Sequence, residues 1–207
     1  MRGKFITIEG IEGVGKSTNI ESIRTFLFDK QIKSIVTREP GGTSLAESIR
    51  CLLLKVEDED PVELCELLLI FASRAQHIKK VIEPALRQGV WVLCDRFTDA
   101  TYAYQGGGRG LSSSLISELE TLVQGTLRPD LTIILDLDVR TGLSRAKSRG
   151  ALDRFEKEQL DFFERVRKAY LSIAANATNR CVVIDADNER EAISKEIHDL
   201  LSEKFLG

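Results

Sequence analysis

Short apolar runs alternate along the chain with longer stretches whose apolar positions recur at helical spacing. Phe5-Ile6-Thr7-Ile8, Ser34-Ile35-Val36-Thr37, Val90-Trp91-Val92-Leu93-Cys94, Leu131 to Leu137 and Cys181 to Ile184 read as five strands. The runs at 90–94 and 131–137 are almost wholly apolar, as expected of strands covered on both faces. Between them lie helical stretches: Ser17 to Phe28, with Ile20, Ile23 and Leu27 on one side, and Leu45 to Leu54. A longer one runs from Pro61 past Arg74 and His77 towards Pro84, and another from about Ser112 to Gly125. Segments 139–149, 157–175 and a terminal stretch from about Glu189 complete the set. Pro-Gly-Gly at 40–42 reads as a turn, and Gln105 to Gly110 as a glycine-rich loop. Strands separated by helices imply βαβ units, so the fold class is α/β: three layers around a central five-stranded parallel sheet. Right-handed crossovers put the functional site at the carboxyl ends of the strands.

Composition narrows the partners. Of the 207 residues, 43% are hydrophobic and 29% charged, and no linker or repeat divides the chain, so residues 1–207 are expected to form a single domain. Lys+Arg 29 against Asp+Glu 32 leaves a net charge of −3, without the basic excess of a nucleic-acid polymer binder. The four cysteines (Cys51, Cys65, Cys94, Cys181) show neither Cys-x-x-Cys nor a histidine at zinc spacing, and read as reduced thiols. The longest apolar run, Leu67 to Ala72, falls far short of the ~18 residues of a membrane span. No signal-peptide pattern opens the chain, so a soluble, cytoplasmic protein is expected.

Gly10-Ile11-Glu12-Gly13-Val14-Gly15-Lys16-Ser17 fits the phosphate-loop pattern G-x-x-x-x-G-K-[ST], between a predicted strand and an amphipathic helix. Its glycines let backbone N–H groups converge on phosphate oxygens. Lys16 adds a charge at the β- and γ-phosphates, and the Ser17 hydroxyl can reach Mg²⁺. Residues 10 to 18, ending at Thr18, form the expected nucleoside-triphosphate site of a P-loop NTPase fold. Neither Asn-Lys-x-Asp nor Asp-x-x-Gly occurs, which removes the usual guanine-reading GTPase. A small-molecule kinase needs a second anion site on the same sheet edge. Arg38 directly follows the second strand, Asp95-Arg96 follows the third, and Arg74 lies on the helix between them. Guanidinium groups suit bidentate grip on a phosphate. A carboxylate at a strand end, Asp95, can orient Mg²⁺ or its water shell. A locally positive cleft is therefore expected within a nearly neutral protein.

These segments resemble the bacterial thymidylate kinase family over essentially the whole chain. The resemblance rests on the P-loop with its acidic Glu12, Thr37-Arg38-Glu39-Pro40-Gly41-Gly42-Thr43, Ser73-Arg74-Ala75-Gln76-His77, Cys94-Asp95-Arg96-Phe97, the turn Ala103-Tyr104-Gln105-Gly106 and Arg149-Gly150-Ala151-Leu152-Asp153-Arg154-Phe155-Glu156. It implies phosphorylation of dTMP to dTDP by ATP with Mg²⁺, and a homodimer built on helices. By the same resemblance Glu12 stands near the acceptor sugar 3′-hydroxyl, and Arg38 and Arg96 hold the acceptor phosphate. Arg74 recognises a pyrimidine carbonyl, while Thr101 and Gln105 address base or sugar. Tyr104 crowds the sugar 2′ position. The aromatic that stacks on the base lies four residues before the recognition arginine in many members. Here that position is Ile70 and the phenylalanine is Phe71, so either stacking by Phe71 or apolar packing by Ile70 is open. No arginine stands in the variable P-loop positions, which implies that a lid of about residues 145–156 supplies the transition-state cation from Arg149 or Arg154.

Two other readings use the same loop: a kinase for a different nucleoside monophosphate, and an ATPase switch acting on a partner protein. The second leaves the clustered arginines without a use. His77 and His198, both in helical stretches, read as structural or solvated.

Overall fold

The structure is a computed structural model that describes residues 2–55, 59–148 and 153–207. Five parallel strands, β1 (Phe5–Glu9), β2 (Ser34–Arg38), β3 (Trp91–Asp95), β4 (Leu131–Asp136) and β5 (Cys181–Asp185), form one sheet in the order β2-β3-β1-β4-β5. Every residue of β1 is buried, and β3 and β4 are buried except at their last residue, whereas the edge strands β2 and β5 are partly exposed. Side chains alternate between the faces. Ile6, Ile8 and Leu93 share a core with α1 (Lys16–Asp29), α8 (Leu160–Asn176) and α9 (Arg190–Phe205). Phe5, Val92 and Cys94 pack instead with Ile78, Ile82, Leu86 and Phe97. This is the α/β arrangement expected from the apolar runs.

Register brings the chemistry to one edge. Ile8 and Arg38 both lie opposite Asp95, so the residues that follow β1, β2 and β3 emerge side by side. Thr43 caps α2 (Ser44–Leu54) by accepting from Ala46 N–H at 3.2 Å, which sets the exit of the Pro40-Gly41-Gly42 turn. Asp138 caps α7 (Val139–Lys147) in the same way through Thr141 N–H at 3.1 Å.

Two elements depart from the sequence expectation. The long helix expected towards Pro84 is α3 (Glu63–His77), then a π-helical turn (Ile78–Ile82), then α4 (Glu83–Arg87). Pro84 has no N–H to return to the preceding turn, and the wider turn lies immediately before it. The expected glycine-rich loop at 105–110 is mostly helical: α5 (Thr98–Thr101) continues as a π-helical segment (Tyr102–Gly108) before α6 (Ser113–Gln124). Its glycines serve close packing. A Cβ at Gly108 would stand 2.5 Å from the Phe162 ring, and one at Gly107 2.7 Å from Ala169 Cβ, so α8 lies directly on the segment. Asp99 anchors its start through Arg180, at 2.6 and 2.8 Å. Of the expected lid at 145–156, residues 149–152, Arg149 included, lie outside the described residues.

The P-loop is braced by α7 backbone to backbone. A Cβ on Gly142 would meet Glu12 O at 2.6 Å, and one on Gly13 would meet Gly142 O at 1.9 Å. Gly142→Ala is therefore expected to destabilise the fold by roughly 1–3 kcal/mol through overpacking, and to displace the P-loop. Thermal unfolding checks this: an unchanged melting temperature would show that the brace carries no strain when filled.

Candidate active site

A cleft of about 270 Å³ opens at the carboxyl edge of the sheet, lined by the P-loop, the β2 and β3 exits, α2, α3 and Asp153, Phe155 and Glu156. At its floor the P-loop turns through positive φ at Gly10, Gly13 and Gly15. Glu12, Gly13, Gly15, Lys16, Ser17 and Thr18 line the cleft. Ile11 and Val14 turn their side chains into the core, 2% and 3% exposed, and so contribute backbone alone. Lys16 Nζ donates to Gly10 O at 3.2 Å and Ile11 O at 2.9 Å. Burial, and then the nearby Arg96 charge, push its pKa down to about 8, against the pull of Asp95, Glu12 and Glu9. Asp95 lines the same cleft.

Arg96 occupies a left-handed backbone conformation (φ 67°), costly for a non-glycine residue. Glu9 secures that turn. The last residue of β1, with no exposure, it accepts from Phe97 N–H at 2.7 Å and from the Tyr170 hydroxyl at 2.8 Å. Arg96 in turn donates to that hydroxyl at 3.3 Å and to Glu12 at 2.9 Å, and lies 4.7 Å from the Tyr104 ring centre. Tyr104 donates to both Glu12 oxygens at 2.8 Å, and burial pushes its phenol well above the ordinary value, so it remains a neutral donor. Glu12, Arg96 and Tyr104, which the sequence placed around one acceptor, thus form one hydrogen-bonded cluster.

At the other end of the cleft Arg74 is 1% exposed. Its Nε donates to Glu39 at 2.6 Å, and its Nη2 to Thr101 Oγ1 at 2.8 Å and Phe97 O at 3.2 Å. Nη1 is buried with no hydrogen-bond partner among the described residues. The guanidinium lies over the rings of both Phe71 and Phe97, 4.8 and 5.1 Å from their centres. His77 completes the support: Nδ1 lies 2.9 Å from Glu39 and Nε2 2.6 Å from Thr37 Oγ1. A carboxylate only accepts, so Nδ1 is the donor there. His77 is thus the structural residue its helix position suggested.

Several expectations need correction. Phe71 does not line the cleft; Ile70 does, and Phe71 lies beneath Arg74 in the core. An aromatic one residue further along α3 is rotated towards α6, where it meets Ile116. Arg154 is 7% exposed and does not line the cleft. It donates to Glu66 on α3 and to Leu53 O at 2.9 Å, so in this structure its charge serves that network and not the phosphate floor. The lining is also not positive overall. Lys16, Arg38, Arg50, Arg74 and Arg96 are matched by Glu12, Glu39, Asp95, Asp153 and Glu156. Glu12 and Glu39 are engaged by Arg96 and Arg74, which keeps their charge off the centre of the cleft.

Arg38, Thr101 and Gln105 also line this cleft, Arg38 held by Glu47 at 2.8 Å. Sequence reasoning missed Arg50 on α2, which donates to Pro40 O at 3.0 Å and stands with Arg38 in the lining. It also missed Glu9, Tyr170 and Glu66, none of which carries a local signal beyond being a polar residue in a core element.

A P-loop at a parallel sheet edge, sharing one cleft with the Arg74 and Arg96 guanidiniums, is a P-loop phosphotransferase architecture. Comparison with known proteins narrows the class. A family model described as thymidylate kinase matches residues 8–197. Thymidylate kinase from Teredinibacter turnerae is 56% identical over 207 residues, with both chains fully covered. That of Hahella chejuensis is 50% identical over 206 residues, covering 100% of this chain and 99% of the relative. The crystal structure of thymidylate kinase from Ehrlichia chaffeensis superposes with a TM-score of 0.80 at 36% identity, covering 97% of this chain and all of that one. The chain belongs to the thymidylate kinase family.

Glu9 generates a pH prediction. Burial, with Asp99 adding to it, raises its pKa from 4.5 to about 8, although Arg96, Tyr170 and Phe97 N–H pull the other way. The folded chain then holds a proton that the unfolded chain releases, so this group's contribution to stability falls as pH rises from 4.5 to 8. Glu9→Gln cannot ionise and is expected to lose that decline. Its melting temperature should gain on the wild type across the same window and hold level above it. Parallel profiles would show that Glu9 is already ionised in the folded chain.

Proposed function

We propose that the chain transfers the γ-phosphoryl group of ATP to dTMP, giving dTDP and ADP. The observation that carries this reading is the buried Arg74 Nη1, an unpartnered donor in the wall of a cleft whose floor is the P-loop. A buried donor without an acceptor is costly, and a pyrimidine carbonyl satisfies it. Ile70, Thr101 and Gln105 would flank the base, and Tyr104 the sugar. Arg38, Arg50 and Arg96 would surround the acceptor phosphate, which is ionised at neutral pH and needs no general base. Catalysis then reduces to alignment and charge neutralisation by Lys16 and Arg96.

The donor set fits Mg²⁺, which keeps several waters and takes one or two carboxylates beside substrate phosphates. Ser17 and Asp95 would hold it; among the described residues no cluster of three or more acidic, histidine or cysteine side chains forms a protein-only cage. Bound Mg²⁺ supplies neutralisation of phosphate charge. With Arg154 in the Glu66 network, Arg149 is the arginine that the sequence pattern offers as a further cation. The reading also takes the chain as a single-domain cytoplasmic enzyme; among the described residues no helix is long and apolar enough to cross a membrane.

The same reading includes a homodimer. Leu45 and Leu52 on α2, Val62, and Leu64 and Leu68 on α3 are between 48% and 67% exposed on two helices that pack together. Apolar residues at these spacings make continuous stripes that a second copy would cover.

ADP release with Mg-ATP and a panel of dTMP, dUMP, dCMP, the thymine ribonucleotide, AMP and dGMP tests the activity. Strong preference for dTMP is expected, and Lys16→Ala should lower turnover by on the order of 10²–10³ or more with the fold intact. ADP release that needs no acceptor would favour a switch. In light scattering the wild type is expected at twice the 23.1 kDa chain mass, and Leu68→Glu at the chain mass. A monomeric wild type would overturn the dimer.

A further inference from the structure

We propose that Phe155 is a wall of the acceptor pocket and that Glu66 is the positioning residue that seats it. The inference rests on the reading of this cleft as the acceptor site. Glu66, on α3, has no exposure, yet three side chains from two other segments converge on it. Its Oε1 accepts from Gln105 Nε2 at 2.9 Å and Arg109 Nε at 3.3 Å; its Oε2 accepts from Arg109 Nη2 at 3.3 Å and from Arg154 Nη2. Arg109 also pairs with Glu158. Two arginines thus balance two carboxylates, so the network stands without an outside counter-ion.

The Phe155 ring lies against both of these guanidiniums, with Arg154 4.5 Å and Arg109 5.6 Å from its centre. Phe155 lines the cleft and meets the Tyr104 ring edge-on at 6.0 Å. Arg154 fastens the segment to the end of α2 as well, its N–H donating to Leu54 O at 3.1 Å and its Nε to Leu53 O at 2.9 Å. The Phe155 wall and the Gln105 amide are therefore registered by one carboxylate. That carboxylate sits four residues before Ile70 and eight before Arg74 on α3, the same side of the helix that carries the base-side groups. Among the described residues no hydrogen bond or ion pair joins the network to Lys16 or Ser17. Disturbing it should be felt by the acceptor and not by the nucleoside triphosphate.

Steady-state kinetics on Glu66→Gln, Arg154→Met and the double variant test this. Each single variant is expected to raise KM for dTMP by about tenfold and to leave KM for ATP within about twofold; the double variant is expected to match the worse single, because both changes break one network. Phe155→Leu, which keeps the network and trims only the wall, should raise KM for dTMP likewise and remains informative if Glu66→Gln fails to fold. Variants with a lower melting temperature but unchanged KM for dTMP would overturn the proposal. Equal rises in both KM values, or additive effects in the double variant, would overturn it too. A wild type that does not use dTMP would instead overturn the functional reading, and is measured before any variant.

Discussion

Glu9 ends β1 where the chain turns into the P-loop, and its two oxygens are committed to the neighbouring turn and to α8. Phe97 N–H holds it to the residue just after Arg96, and the Tyr170 hydroxyl holds it to a helix more than a hundred residues away in sequence. The left-handed backbone at Arg96 persists because this carboxylate over-determines it. From that turn the guanidinium reaches Glu12, and Glu12 is braced by Tyr104. One buried acid at the centre of the sheet therefore fixes the spacing between the phosphate floor and the arginine beside it. Its desolvation is the cost of that precision.

The Arg74 end of the cleft repeats the device with different residues. Glu39, at the exit of β2, is shared between Arg74 and His77, and His77 is tied in turn to Thr37. Arg74 arrives with two rings against its guanidinium, and with all but one of its donor nitrogens engaged. A long, flexible side chain is thereby held in one conformation. In the proposed reading it would meet its acceptor already immobilised, with little rotamer entropy left to lose on binding.

The parts of this design that were legible in the sequence are those written in contiguous residues. The P-loop, the Arg38 and Asp95-Arg96 strand exits, and the five apolar runs each carry their signal locally, and the five strands run parallel as the βαβ pattern implies. What escaped depends on contacts between distant segments. Glu66 reads as one more acid on an amphipathic helix until Arg109 and Arg154 are brought onto it. Phe71 differs from Ile70 only by rotation about α3, and a single residue decides whether a ring faces cleft or core. Gly106-Gly107-Gly108 announced a loop, but absent side chains also permit a helix to lie close, and Phe162 shows which use prevails. The arginines near the strand ends were visible, as were Glu12, Glu39 and Asp95 in the same motifs, but that Asp153 and Glu156 join the same lining was not.

That neutralisation has a consequence for turnover. Lys16 rests on the carbonyls of Gly10 and Ile11, Arg96 on Glu12, and Arg38 on Glu47. In the proposed reading, an incoming phosphate would exchange these partners instead of meeting bare charge, so the net gain per contact would be small although each contact is strong. The same partners wait to take the cations back when phosphates leave. A cleft built this way holds its nucleotides through many simultaneous exchanges, and no single one of them traps the product.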